Sequence, residues 1–130
     1  MNIPFSPPDI TEEEIEAVAE VMRSGWITTG PKTKELERKM AEFTHTNRGV
    51  CLNSATSCME MALRLFEIGP GDEVIVPAYT YTASASVVCH VGATLRLVDV
   101  EKGTFHIDYA AVESMINENT KAIIPVVLLV

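Results

Sequence analysis

Two short runs of residues carry the groups that could do chemistry. In the first, an apolar segment leads into Asn53-Ser54-Ala55-Thr56, which opens a helical pattern. The first turn of a helix has unpaired N–H groups and partial positive charge. A small residue such as Ala55 lets a phosphate approach that backbone, and the hydroxyls of Ser54 and Thr56 add donors. Plain helix capping by Ser54 is the commoner use of the pattern, and on this segment alone it is the stronger reading. In the second run, Val74-Ile75-Val76-Pro77 leads into Ala78-Tyr79-Thr80-Tyr81. Residues just beyond a strand of a parallel sheet are favoured ligand positions, and a tyrosine there can stack on a heteroaromatic ring. A lone tyrosine would mean core packing. An anion seat and an aromatic ring at the same sheet edge together suit a flat phosphorylated cofactor.

The elements that position these residues follow from capping and periodicity. Residues 1–10 hold three prolines and read as an extended arm. Thr11-Glu12-Glu13-Glu14 is a capping box, and Ile15, Val18, Ala19, Val21 and Met22 keep helical spacing up to Gly25. Pro31 suits the first position of the next helix, which carries Leu36, Met40 and Phe43 on one face. Gly49–Leu52 reads as a strand and Thr56–Phe66 as a helix with Met59, Ala62, Leu63 and Phe66 inward. Glu73–Val76 is a strand, Ala83–His90 a helix stopped by Gly92, and Thr94–Val98 a strand closed by Asp99. Asp108 N-caps a helix through Ile116, and Lys121–Val127 is the last strand. Alternating strands and helices with continuous apolar strands predict an α/β fold, a mostly parallel sheet with helices on both faces.

Composition limits the function classes. The 130 residues suffice for one domain with a real core, and 47% of them are apolar. The net charge of −8 argues against nucleic-acid binding. Lys32, Lys34, Arg38 and Lys39 alternate with Glu35, Glu37 and Glu42, as on a solvated helix face. Cys51, Cys58 and Cys89 lack metal-ligand spacing and read as buried free thiols of a reducing compartment. No secretory leader is evident, and no apolar run approaches the roughly 20 residues that cross a bilayer, so a cytoplasmic protein with no membrane partner is expected. His45, His90 and His106 are scattered surface or helix-end residues, and Met22, Met59 and Met61 fit core filling. Asp72 and Glu73 are adjacent and point apart, so they form no acid–base pair. No metal site is expected.

Five ordered blocks carry a family resemblance: Gly25-Trp26-Ile27-Thr28-Thr29-Gly30-Pro31, Asn53-Ser54-Ala55-Thr56, Gly69-Pro70-Gly71-Asp72-Glu73-Val74-Ile75-Val76-Pro77, Gly92-Ala93 with Val98-Asp99-Val100, and Thr120-Lys121-Ala122-Ile123-Ile124-Pro125-Val126. The chain resembles the N-terminal part of the DegT/DnrJ/EryC1/StrS family, pyridoxal-phosphate-dependent aminotransferases acting on nucleotide-linked keto-sugars in polysaccharide or amino-sugar biosynthesis. The resemblance implies part of an aspartate-aminotransferase-like (fold type I) large domain over residues 31–130. Residues 1–30 then form an arm, a helix and a loop at the active-site mouth. It implies that the Ala55 and Thr56 amides, with the Thr56 hydroxyl and the Ser54 turn, hold the cofactor phosphate, and that Tyr81 stacks on the pyridine ring. Trp26, Thr28 and Thr29 match a substrate-side segment near a dimer partner, so a homo-oligomer is implied. Ala55 stands where glycine is usual, and Val127-Leu128-Leu129-Val130 departs from the family's usual His-containing sequence.

The family's cofactor-holding lysine and its carboxylate at the pyridine nitrogen belong to segments that these residues do not match. Asp99, Asp108 and Lys121 are not substitutes, so no catalytic residue is assigned. The expectation is a truncated enzyme, inactive as this chain, with weak or absent cofactor binding. Its first strand would lack a neighbour, and its last would be an exposed apolar edge favouring self-association. The alternative is a non-catalytic phosphate-ligand binder or an interaction subunit complementing a separate C-terminal chain. A dinucleotide-binding domain lacks its glycine motif here.

Overall fold

The computed structural model describes residues 7–127, which divide into two compact units on either side of the Cys51–Leu52 bond. The first unit holds α1 (Glu12–Arg23) and α2 (Pro31–Phe43). The α1 start is the expected capping box: Thr11 accepts from the Glu13 amide, and the Glu14 carboxylate accepts from the Thr11 amide at 2.6 Å. Pro31 begins α2, whose surface is laced by Arg38–Glu42 and Lys39–Glu35 pairs, both at 2.7 Å. Both helices have apolar faces as the spacing predicts, yet Ile15, Val18, Met22, Leu36, Met40 and Phe43 are all exposed.

The second unit contains α3 (Ala55–Leu65), β1 (Glu73–Pro77), α4 (Ala83–His90), β2 (Thr94–Val98), α5 (Tyr109–Met115) and β3 (Thr120–Ile123). The three strands are parallel in the order β2-β1-β3, with Val76 opposite Leu97 and Ile75 opposite Ile123. β1 is central, and its side chains alternate between two cores. Val74 and Val76 pack with Leu63 of α3 and Val87, Val88 and Val91, while Ile75 packs with Val98, Ile107 and Val112 of α5. The sheet is therefore covered on both faces, which accounts for the continuous apolar run in β1. The chain passes from β1 to β2 over one face and returns past β1 to β3 over the other, a doubly wound course.

Several expectations need correction. Gly49–Leu52 forms no strand. A Cβ on Gly49 would crowd the Glu37 carbonyl, and the Cys51 amide donates to the Glu37 carboxylate at 3.0 Å, so this stretch leans on α2. An extended segment needs a ladder neighbour, and none pairs with it among the described residues. The last strand ends at Ile123, although the Ile124 amide adds one more bond to the Ile75 carbonyl at 2.9 Å. Met59 packs against the core, but Met22, Met61, Ala62 and Phe66 are exposed. Cys58 and Cys89 are exposed rather than buried, and Cys51 is half-buried. A helical repeat marks which residues share a face but not what covers it. The arm and the apolar tail fall partly outside the described residues. No helix among those described is long and apolar enough to cross a membrane.

Candidate functional site

Both strand-end features of the second unit open at the carboxyl edge of the sheet. α4 follows β1 directly through residues 78–82, so its N-terminus lies there. α3 reaches β1 through a tight turn in which Ile68 donates to the Leu63 carbonyl and Asp72 to the Gly69 carbonyl, each at 3.0 Å. Its C-terminus is thereby held at the amino edge. Eleven helical residues span about 16 Å and five strand residues about 17 Å, so α3, whose Leu63 shares a core cluster with Val74 and Val76, is long enough to reach back to the carboxyl edge. Across the two helices, His90 Nδ1 lies 2.9 Å from Glu60, fixing α4 against α3.

At the start of α3 the polar groups are sharply divided. Ser54 Oγ accepts from the Ser57 amide at 3.1 Å and lies 3.0 Å from Ser57 Oγ, which donates to Asn53 Oδ1 at 2.7 Å. The Ser54 hydroxyl is thus committed to capping. The first intrahelical bond runs from the Cys58 amide to the Ser54 carbonyl, which leaves the Ala55 and Thr56 amides without partners among the described residues. Ala55 is exposed and Thr56 half-buried. Two free N–H groups, a helix N-terminus and a neighbouring hydroxyl fit a phosphate monoester.

The loop after β1 is pinned while one of its rings stays free. Ala78 donates to the Val98 carbonyl at 2.7 Å, Thr80 Oγ1 lies 2.9 Å from the Ser84 hydroxyl, and Ser84 donates to the Tyr81 carbonyl at 3.0 Å. Tyr79 stacks on Phe105, ring centroids 4.8 Å apart and planes inclined by 27°. Tyr81 has no ring partner among the described residues and is 83% exposed. The role of Phe105 was not foreseen from sequence, since it lies 26 positions from Tyr79 and no local pattern links them.

Trp26, Thr28 and Thr29 belong to the first unit. The Trp26 indole N–H donates to the Thr29 carbonyl at 3.0 Å, and a Cβ on Gly30 would overlap that indole. The loop borders a cleft of about 490 Å³, lined also by Ile27, Pro31 and Lys32. Asp99 accepts from the Val100 amide, Asp108 caps α5 through the Ala111 amide, and the exposed Lys121 donates to the Glu118 carbonyl, so each has a structural role. No cluster of acidic, histidine or cysteine side chains among the described residues could hold a metal.

The carboxyl of Glu60 is held below the usual glutamate range, first by the Arg64 guanidinium and then by His90. This exposed cluster lies more than a full turn along α3 from Ala55 and Thr56, and it ties α3 to α4.

Comparison with known proteins gives the family and the fold. Residues 8–129 match the DegT/DnrJ/EryC1/StrS aminotransferase family. The chain is 45% identical over 95% of its length to the UDP-4-amino-4-deoxy-L-arabinose–oxoglutarate aminotransferase of Shewanella sediminis (strain HAW-EB3), covering 32% of that protein. A putative sugar aminotransferase of Streptococcus pneumoniae, Spr1654, solved in apo, PMP and PLP forms, is 63% identical. It superimposes with a TM-score of 0.88 over 96% of this chain and 31% of its own apo chain. An aminotransferase from Psychrobacter cryohalolentis is 34% identical with a TM-score of 0.82, over 92% of this chain and 31% of its own. The chain thus spans about a third of the length of these relatives. Its fold is that of part of a fold type I aminotransferase, and the chain belongs to the DegT/DnrJ/EryC1/StrS family of pyridoxal-phosphate-dependent sugar aminotransferases.

Proposed function

We propose that these residues form the phosphate cradle and ring platform of a cytoplasmic, homo-oligomeric aminotransferase that acts on a nucleotide-linked keto-sugar. What supports this reading is the pair of amides at Ala55 and Thr56, left without partners among the described residues, together with the exposed Tyr81 ring, which has no ring partner among them. The amides and the Thr56 hydroxyl grip the phosphate, Ser54 caps the helix that carries them, and Tyr81 lies against the pyridine face. Trp26, Thr28 and Thr29 contact the sugar substrate. The substrate class is supported by the Shewanella sediminis relative, whose name specifies a UDP-linked amino sugar and oxoglutarate.

Pyridoxal phosphate, when bound, supplies an electron sink and carries the amino group between substrates. This chain's residues bind it and orient its ring. Turnover also needs a lysine to move the proton and a carboxylate to keep the ring nitrogen charged. None of the residues at the cradle or the platform is of either type, so the 130-residue chain is proposed to bind the cofactor weakly without turning it over.

The test is a titration of the isotope-labelled chain with pyridoxamine 5′-phosphate, which has no aldehyde to react with surface lysines, alongside unphosphorylated pyridoxamine. The expected result is selective movement of the Ala55 and Thr56 amide resonances with the phosphorylated compound alone. If those resonances stay still at millimolar ligand, or respond equally to pyridoxamine, the reading fails.

A further inference from the structure

We propose that Phe105 is a positioning residue for the cofactor ring: its stack on Tyr79 fixes the loop that presents Tyr81. The inference rests on the reading of Tyr81 as the ring platform. Besides the Ser84 amide on the Tyr81 carbonyl at 3.0 Å, three tethers hold the loop after β1 among the described residues. The first is the Ala78 amide on the Val98 carbonyl at 2.7 Å, and the second is the Thr80–Ser84 hydroxyl contact at 2.9 Å. The first acts on the backbone and the second on the Thr80 side chain. The third is the Tyr79–Phe105 stack, which reaches the loop from the segment that follows β2.

That segment is built as a rigid mount. Val100 and Ile107 form an antiparallel bridge, and the Glu101 amide donates to the His106 carbonyl at 2.9 Å. Gly103 makes the turn with a φ of +84°, where a side chain would be strained. Thr104 Oγ1 accepts from the His106 amide at 3.1 Å, and Ile107 is buried against Ile75, Val98 and Val112. Phe105 therefore sits on a braced ribbon with one residue of its neighbourhood anchored in the core. Its own ring remains 60% exposed and Tyr79 53% exposed. A pair of rings so open to water contributes little burial, whereas it restricts where Tyr79, and with it the residue two positions on, can move. Tyr81 itself has only backbone restraint, so its ring direction depends on the loop.

The test compares the affinity of the full chain for pyridoxamine 5′-phosphate with its affinity for inorganic phosphate, in wild type, Phe105→Ala, Phe105→Leu, Phe105→Tyr and Tyr81→Ala. Losing the stack should weaken pyridoxamine 5′-phosphate binding by about threefold to tenfold in Phe105→Ala and Phe105→Leu, the range of one aromatic contact. Phosphate affinity should stay within about twofold and Phe105→Tyr should retain wild-type behaviour, since only the ring contribution is at stake. A loss of both affinities together, or an unchanged ratio in Phe105→Leu, overturns the inference. If Phe105→Ala does not fold, Phe105→Leu, which keeps the apolar bulk, decides the matter on the same ratio. Failure of the underlying reading looks different: Tyr81→Ala would leave the ratio untouched. A ratio sensitive to Tyr81→Ala and insensitive to both Phe105 variants refutes the positioning role alone.

Discussion

Ser54 and Thr56 sit two residues apart at one helix start, and the proposed function gives them separable work. Ser54 Oγ accepts from the Ser57 amide at 3.1 Å, so Ser54→Ala removes the cap of α3. Loss of a serine cap costs about 1 kcal/mol. The second unit begins at Leu52, and for a domain of that size about 1 kcal/mol lowers the midpoint of thermal unfolding by roughly 4–8 °C. The Ala55 and Thr56 amides remain free in that variant, so affinity for pyridoxamine 5′-phosphate should change by less than about twofold. Thr56→Val is the converse. It keeps the shape and leaves the cap intact, but deletes a hydroxyl bond to a charged phosphate, worth about 1.5–3 kcal/mol or roughly tenfold to a hundredfold in affinity. Circular dichroism melts and the isotope-edited titration read the two quantities separately. A Ser54→Ala chain that melts normally but binds tenfold more weakly would refute the division, as would a Thr56→Val chain with wild-type affinity.

Two further outcomes follow from the ends and the surface of α3. Glu67 follows its C-terminus with φ +58°, and the bonds from Glu67 to the Arg64 carbonyl and from Ile68 to the Leu63 carbonyl make this a Schellman ending. Glu67→Gly should stabilise the unit by about 0.5–1 kcal/mol in urea denaturation, since glycine adopts that backbone freely; a loss of stability would contradict it. Arg64, and then His90, hold the Glu60 carboxyl below its ordinary range. A depressed folded-state value means that its stabilisation is present above the unfolded-state pKa and is lost as pH falls through the folded one. Wild type should therefore melt higher than Glu60→Gln near pH 7, and the gap should shrink as pH drops from about 5 to 3; a gap independent of pH would refute the assignment.

Much of this architecture was legible because it is governed locally. The α1 capping box, Pro31 at the start of α2, the Asp108 cap of α5 and the Gly92 ending of α4 depend on side chains within a few residues of the backbone they satisfy. The strand Thr94–Val98 was read to the residue because it lies between a glycine-led turn and a polar stop. At the site, the Asn53–Thr56 run indicated a helix start capped by Ser54, as the structure shows, but not which hydroxyl of the turn stays outside the cap. That depends on which of two hydroxyls the local geometry favours. The Tyr79–Phe105 stack was hidden for a different reason: strand order decides which loops meet at a sheet edge, and sequence spacing does not encode it.

The misses share a cause, and it bears on how the chain folds. α1 and α2 have correct helical phasing, yet Val18 and Phe43 remain 60% and 81% exposed. Gly49–Leu52 is an apolar run with no ladder among the described residues, while β1 is fully formed between two neighbours. β1 has three consecutive β-branched residues against one in Gly49–Leu52, and it also has partners that accept its backbone groups and cover its side chains. A helix satisfies its own backbone and needs cover chiefly for stability, whereas a strand needs a neighbour even for its backbone hydrogen bonds. An apolar face that periodicity predicts and nothing in the described residues covers is therefore a statement about partners. Phe43→Ser separates these surfaces from the core. It should leave the melting of the second unit, which has its own hydrophobic clusters, within about 0.5 kcal/mol of wild type while reducing self-association in light scattering. A variant that instead unfolds the second unit would show that the face at Phe43 belongs to the same cooperative core.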